Sequence, residues 1–145
     1  MDALVDNPAF RPYAICTAIL VLKAMAATLY TGLQRQRSQG YVNEEDARVF
    51  GQGGVAARAD EAPGVAHALR IQRNDAENLP AFFAIGLVYV LSGASASGAA
   101  IYCWTYTISR IVHMVAYVNH LQPWRAIAYF VGFLCLVGMS VQVLF

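Results

Sequence analysis

The chain is 145 residues long, 58% hydrophobic and 13% charged, with a formal net charge of +1 and a mean hydropathy of +0.45. Soluble domains carry about 25% charge, so roughly half the usual complement is missing, and the apolar residues come in long blocks. This excludes a disordered chain, a basic nucleic-acid binder and a disulfide-built secreted module, and leaves a small multi-pass membrane protein whose few charges are the informative residues.

The first residues, Met1-Asp2-Ala3-Leu4-Val5-Asp6, are acidic where a signal peptide is basic, so the first apolar segment is expected to stay in the mature protein. A bilayer core of about 30 Å takes roughly 20 helical residues to cross. Residues 12–33 qualify, interrupted only by Lys23. A polar connection follows over residues 34–64, holding Gly51, Gly53 and Gly54. Inside it, Asn43-Glu44-Glu45-Asp46 reads as a helix start, a capping Asn before acids in the first turn. Connections of this length are usually functional or disordered. The next segment is clearly apolar only over residues 79–91 and reaches crossing length if the polar stretch before it is helical, giving a span over 65–92. The third span covers 98–118 and contains Arg110 and His113; the fourth covers 123–145, with Arg125 near its start. Linkers at 92–97 and 119–122 are short enough to make the last three helices antiparallel neighbours. The expected fold is all-α, an integral membrane four-helix bundle in a single domain over residues 1–145.

Orientation follows the positive residues. Arg35, Arg37, Arg48 and Arg58 lie in the first connection, Arg70 and Arg73 follow it, and Arg125 sits on the same face, against Arg11 alone on the other. Positive charge collects on the cytoplasmic side, so the 34–64 loop is placed in the cytoplasm and both termini outside. Cys16, Cys103 and Cys135, each inside an apolar block and odd in number, read as small buried hydrophobes. His67 and His120 fall at membrane edges, and no His, Cys and carboxylate set has metal-ligand spacing. There is no nucleotide-binding glycine motif, and Ser109 is off the face that a Ser-His-Asp triad with His113 needs.

An ionisable residue at a helix centre costs at least ~2.5–3.5 kcal/mol, so charges that recur at helical spacing call for a reason. Arg70, Arg73, Asn74 and Glu77 fall at i, i+3, i+4 and i+7 and share one face. Arg110, His113 and Tyr117 form a second stripe, and Arg125 with Tyr129 a third. Packed together toward the cytoplasmic ends, the three stripes line one cationic pocket. Counting Arg35, it holds five arginines, against Glu77 and Asp75 as neutralising acids. Surplus guanidinium in a low-dielectric site calls for an anionic ligand, and Glu77 with Asn74 suits one that also carries an amine and amides. The same residues also suit an architectural role, with Arg70 or Arg110 paired to Glu77, Tyr117 and Tyr129 as interfacial aromatics, and His113 in the core. Lys23 is assigned a structural pairing with a carboxylate or carbonyl, Asp75 being one candidate.

The blocks Arg70-Ile-Gln-Arg-Asn-Asp-Ala-Glu77 with Asn78-Leu79-Pro80, and Arg110-Ile-Val-His-Met-Val-Ala-Tyr117, resemble the MAPEG family of eicosanoid and glutathione metabolism. A looser match is Thr31-Gly-Leu-Gln-Arg35 with Asn43-Glu-Glu-Asp46, and the resemblance covers nearly the whole chain. It is nearest to the microsomal prostaglandin E synthase branch, then to the microsomal glutathione transferases. The resemblance implies a homotrimer that binds bent glutathione at subunit interfaces. It implies that Arg73, Asn74, Glu77, His113 and Tyr117 hold the peptide, with Arg35 from the neighbouring subunit. Arg70 and Arg110 are then pairs that orient Glu77, and Arg125 and Tyr129 lie by the sulfur. Asp46 matches an acid implicated in catalysis. One departure stands out: where the prostaglandin-synthesising branch has a serine proposed to assist the thiol, this chain has Ala126.

An ordinary thiol of pKa ~8.5 is about 3% thiolate at pH 7, and a neighbouring cation lowers that pKa by one to several units. The expected activity is therefore a membrane-bound glutathione transferase acting on lipophilic electrophiles that enter from the bilayer, with glutathione-dependent peroxidase activity as an extension. The alternatives are a prostaglandin E synthase-type isomerase, weakened by Ala126, and a non-catalytic lipid-binding scaffold, disfavoured by the full set of ligand residues. The ending Val143-Leu144-Phe145 carries no retention signal, which points to a bacterial inner membrane over endoplasmic reticulum.

Overall fold

A computed structural model describes residues 6–145; the start of the acidic N-terminal stretch, residues 1–5, lies outside the described residues. The described residues form five helices in chain order: α1 Phe10–Ser38, α2 Glu44–Phe50, α3 Pro63–Leu91, α4 Ala96–Val118 and α5 Trp124–Leu144. No strand occurs among them. The four long helices occupy the four apolar segments, and α2 is the short helix announced by the acids after Asn43. The start is right but the cap is not of the expected kind. The Asn43 side chain makes no capping bond and donates instead to Asp46 Oδ2 at 3.2 Å.

Two helices, α1 and α5, are long and apolar enough to cross a membrane by length and composition. The other two long helices carry two of the three polar stripes, and the third, Arg125 with Tyr129, begins α5. Apolar side chains face outward in quantity, among them Leu22, Leu29, Ile101, Phe130 and Leu134, each more than half exposed. Outward apolar faces of this kind suit lipid contact.

The chain divides into two compact units. One runs through Lys23 and resumes over Ala76–Phe145. Its core includes Cys16, Leu20, Phe82, Tyr106 and Met139, and the cysteines at 16, 103 and 135 are free and buried, as expected of small hydrophobes. Phe82 and Tyr106 stack at 4.4 Å, and Tyr13 donates to the Phe83 carbonyl at 2.8 Å. Pro80 removes one donor from the α3 ladder; close by, the Tyr106 hydroxyl donates to the Asn78 carbonyl at 2.9 Å. Gly132 packs against Ser109 and Gly138 against Tyr102, so α4 and α5 run antiparallel at close range. Gly86 takes the Tyr13 ring and Gly98 the Tyr89 hydroxyl in the same way.

The other unit is Ala24–Asp75. Gln72 donates to Thr31 Oγ1 at 2.8 Å and to the Ala27 carbonyl at 3.3 Å. Helix α1 overruns the expected end at residue 33 and closes in a Schellman motif. Gln39 adopts φ +46°, its N–H donates to Gln36 O, and Gly40 N–H reaches back to Arg35 O. The connection after it folds on itself: Tyr41, Ala47 and Ala62 are buried, Arg58 N–H donates to Tyr41 O at 2.8 Å, and Gly40 abuts Ala62. Helix α3 starts at Pro63, the first helical position that proline favours.

Candidate functional site

In the first unit, Ser95 starts α4 by accepting from Gly98 N–H at 3.0 Å. From that start the 3.6-residue repeat puts Arg110, His113 and Tyr117 on one line. Arg110 is 1% exposed and His113 4%, so the stripe is sealed at its deep end and opens toward Tyr117. Arg110 lies along Gly132 of α5, where a Cβ would stand 3.5 Å from its Cδ. The end of α4 is a second Schellman motif, with His120 at φ +56° where glycine is commonest. Leu121 N–H bonds Ala116 O at 2.8 Å and His120 N–H bonds Tyr117 O at 3.1 Å. The tight reversal returns the chain beside its own last turn.

That reversal brings Arg125 back onto Tyr117. Its guanidinium carbon lies 4.5 Å from the Tyr117 ring centroid. The Gln122 amide faces it, and with its oxygen assigned to that side, as the two guanidinium donors require, the oxygen accepts from Nη2 at 2.7 Å and from Nε at 3.1 Å. Both partners are neutral, so the cation is oriented without being cancelled. The His113 ring lies 5.7 Å from that of Tyr117 and 6.4 Å from that of Tyr129, itself 38% exposed. His113, Tyr117, Arg125 and Tyr129, expected from two separate stripes, thus form one cluster. Ser109 is buried and donates to Tyr106 O at 2.7 Å, which engages it away from any triad.

In the second unit, Arg35 and Asp46 line one cleft of about 200 Å³ with Gly32, Gln36, Tyr41 and Phe50. Arg35 is ion-paired: its Nη2 lies 2.9 Å from Glu61 Oε1. The charge balance drawn from the sequence omitted this acid, so the Arg35 charge is already balanced within the chain. Arg70 and Arg73 on α3 are exposed, Asn74 is half-buried and Asp75 faces the other way, buried. Glu77, in the first unit, is exposed. Lys23 is buried in mid-helix. Sequence reasoning missed two residues here, Gln122 and Glu61. The first had a faint local signal, a polar side chain one turn before Arg125; the second had none, lying 26 positions from its partner.

Comparison with known proteins places these residues in context. The family model described as the MAPEG family matches residues 13–145. "Microsomal glutathione S-transferase 1" of Rattus norvegicus is 35% identical over 148 residues, covering 99% of this chain and 94% of that protein. "Prostaglandin E synthase" of Equus caballus is 34% identical over 142 residues, covering 97% and 91%. "Microsomal glutathione S-transferase 1" of Bos taurus is 33% identical, covering 99% and 94%.

Proposed function

The chain belongs to the MAPEG family, and from that premise we propose that it is a membrane-bound glutathione transferase that activates the glutathione thiolate against lipophilic electrophiles. The observation that carries the reading is Arg125, a half-buried cation held on the Tyr117 ring and by Gln122 with its charge intact, beside His113 and Tyr129.

The donor set suits glutathione, which has two carboxylates, one ammonium, two amides and a thiol. Glu77 is the partner for the ammonium and Arg73 for a carboxylate, with Asn74, His113 and Tyr117 for the remaining polar groups. Arg70 and Arg110 orient Glu77, and Asp46 assists from the loop. Arg35 enters from an adjacent copy in a homotrimer. Glutathione supplies a sulfur nucleophile. Arg125 stabilises that sulfur as the thiolate, and the thiol proton passes to water. A fall of ~2 units in the thiol pKa is about 2.7 kcal/mol of stabilisation. In conjugation the thiolate forms a carbon–sulfur bond as the leaving anion departs. All four long helices cross the bilayer in this reading, with the loop in the cytoplasm and the termini outside, in a bacterial inner membrane.

The second reading is a glutathione-dependent isomerase of the prostaglandin E synthase type, favoured by the relatives of that name. Ala126 offers no hydroxyl to a thiol, which argues against it. A turnover panel in detergent with glutathione decides: a chloronitrobenzene, a lipid hydroperoxide and a prostaglandin endoperoxide. Conjugation of the first is the expected result. Turnover of the endoperoxide alone would favour the isomerase, and silence on all three would leave a lipid-binding scaffold. The trimer is tested by mixing Arg35→Ala with Glu77→Ala subunits. Partial recovery of activity is expected, and its complete absence would put the whole site in one subunit.

A further inference from the structure

The fastening of the 34–64 connection leaves Glu61 in a particular place. Gly40 abuts Ala62, where a Cβ would come within 2.8 Å of the Ala62 Cβ, and a Cβ on Gly64 would come within 2.9 Å of Gln34 Oε1. Between those contacts Arg58 N–H is bound to Tyr41 O. Glu61 is one residue from Ala62, so the loop delivers its carboxylate to Arg35 and holds it there at 2.9 Å. The two side chains keep only 35% and 25% of their exposure. Among the described residues, the second carboxylate oxygen of Glu61 is buried and has no hydrogen-bond partner. Arg35 is therefore the group that compensates a partly desolvated acid.

We infer that Glu61 is an affinity-determining residue: it occupies the Arg35 guanidinium as an internal carboxylate, and a carboxylate of glutathione binds there by exchange with it. This rests on the proposal that Arg35 serves glutathione. The exchange is costly for a simple reason. The incoming carboxylate gains what Glu61 loses, and Glu61 is left partly buried without its cation. Net affinity is thus lower than the number of charged contacts suggests. The cleft that Arg35 lines with Asp46, Tyr41 and Phe50 gives room for the displacement to occur without unfolding the loop.

The experiment is equilibrium glutathione binding to the full-length protein in detergent, with thermal unfolding to check each variant. Glu61→Gln, which keeps the shape and removes the charge, is expected to tighten binding about twofold to fivefold, the range of a partly exposed ion pair. Glu61→Asp, which shortens the reach and keeps the loop acidic, gives a smaller gain and stands in if the glutamine variant does not fold. In an Arg35→Ala background neither substitution changes affinity. Glutathione diethyl ester, which offers no carboxylate, binds wild type and Glu61→Gln equally. Unchanged or weaker glutathione binding in Glu61→Gln, with Arg35→Ala still weakening it, overturns the exchange and makes the pair a loop fastener. If Arg35→Ala itself leaves affinity intact, the assignment of Arg35 to glutathione fails, and the inference with it.

Discussion

Arg125 rests on a tyrosine ring and an amide oxygen, while Arg35 is clamped by a carboxylate. The two guanidiniums are chemically identical and each sits within a turn of a helix end, so their environments make the whole difference. A ring face and an amide hold the planar cation in place by modest forces, ~0.5–2 kcal/mol for the ring, and leave its positive field available. A carboxylate at 2.9 Å holds its partner and cancels most of that field. The first arrangement suits a group that must act on a charge appearing nearby. The second suits a group that trades one anion for another.

The contrast predicts four outcomes of decreasing size. Arg125→Ala should lower turnover about 100- to 1000-fold, ~2.7–4 kcal/mol, the loss of one preorganised charge-stabilising donor. Glutathione affinity should stay within several-fold, and the ultraviolet thiolate band of the bound peptide should appear at higher pH. A collapse of affinity with an unmoved thiolate titration would make Arg125 a binding group like Arg35 and erase the distinction.

Gly132→Ala should loosen the Arg125 side alone. Its methyl would stand 2.9 Å from Ser109 Oγ and 3.5 Å from Arg110 Cδ, forcing α5 away from α4. The expected cost is ~1–3 kcal/mol in thermal unfolding, with turnover falling more than glutathione binding. An unchanged melting curve would mean that the helix contact is slack.

Tyr117→Leu should cost ~0.5–2 kcal/mol of turnover at saturating glutathione, whereas Tyr117→Phe keeps the ring and should hold that turnover near wild type while weakening glutathione binding through the lost hydroxyl. Equal losses would show that the hydroxyl matters and the ring does not. Gln122→Leu should be the mildest, a few-fold in turnover, because Gln122 is exposed and water replaces its carbonyl. A loss as large as that of Arg125→Ala would make the amide the dominant anchor.

The sequence carried the helices well because bilayer length, apolar blocks and helical period are local properties. Helix α4 begins two residues before its expected start and α5 one after. The five-residue overrun of α1 comes from Gln34–Ser38, good helix formers with no apolar signal, closed by the turn at Gln39. Within the site, the spacing of Arg110, His113 and Tyr117 was legible, and so was the phase of Arg125 and Tyr129. Their convergence in one cluster depends on the reversal at His120, which no side chain in the linker announces. The clamp on Arg35 was illegible because Glu61 reaches it only through the packing of Ala62 on Gly40. Counting charges along a chain finds acids and bases, and only folding decides which of them meet.

The notched glycines of the first unit have a mechanical consequence. A Cβ would meet the Tyr13 ring at 3.0 Å on Gly86, the Tyr89 hydroxyl at 2.7 Å on Gly98 and the Tyr102 ring at 2.7 Å on Gly138. Each contact sets an interhelical spacing by seating a ring or its hydroxyl against bare backbone, without help from the surrounding lipid. Mismatch between a helix and its bilayer costs only fractions of a kcal/mol per Å, too little to slide a ring out of such a seat. A thinner or thicker membrane is therefore met by tilt of the unit or by deformation of the lipid around it. Its internal distances, including that between Arg125 and Tyr117, should be the same in short-chain and long-chain bilayers.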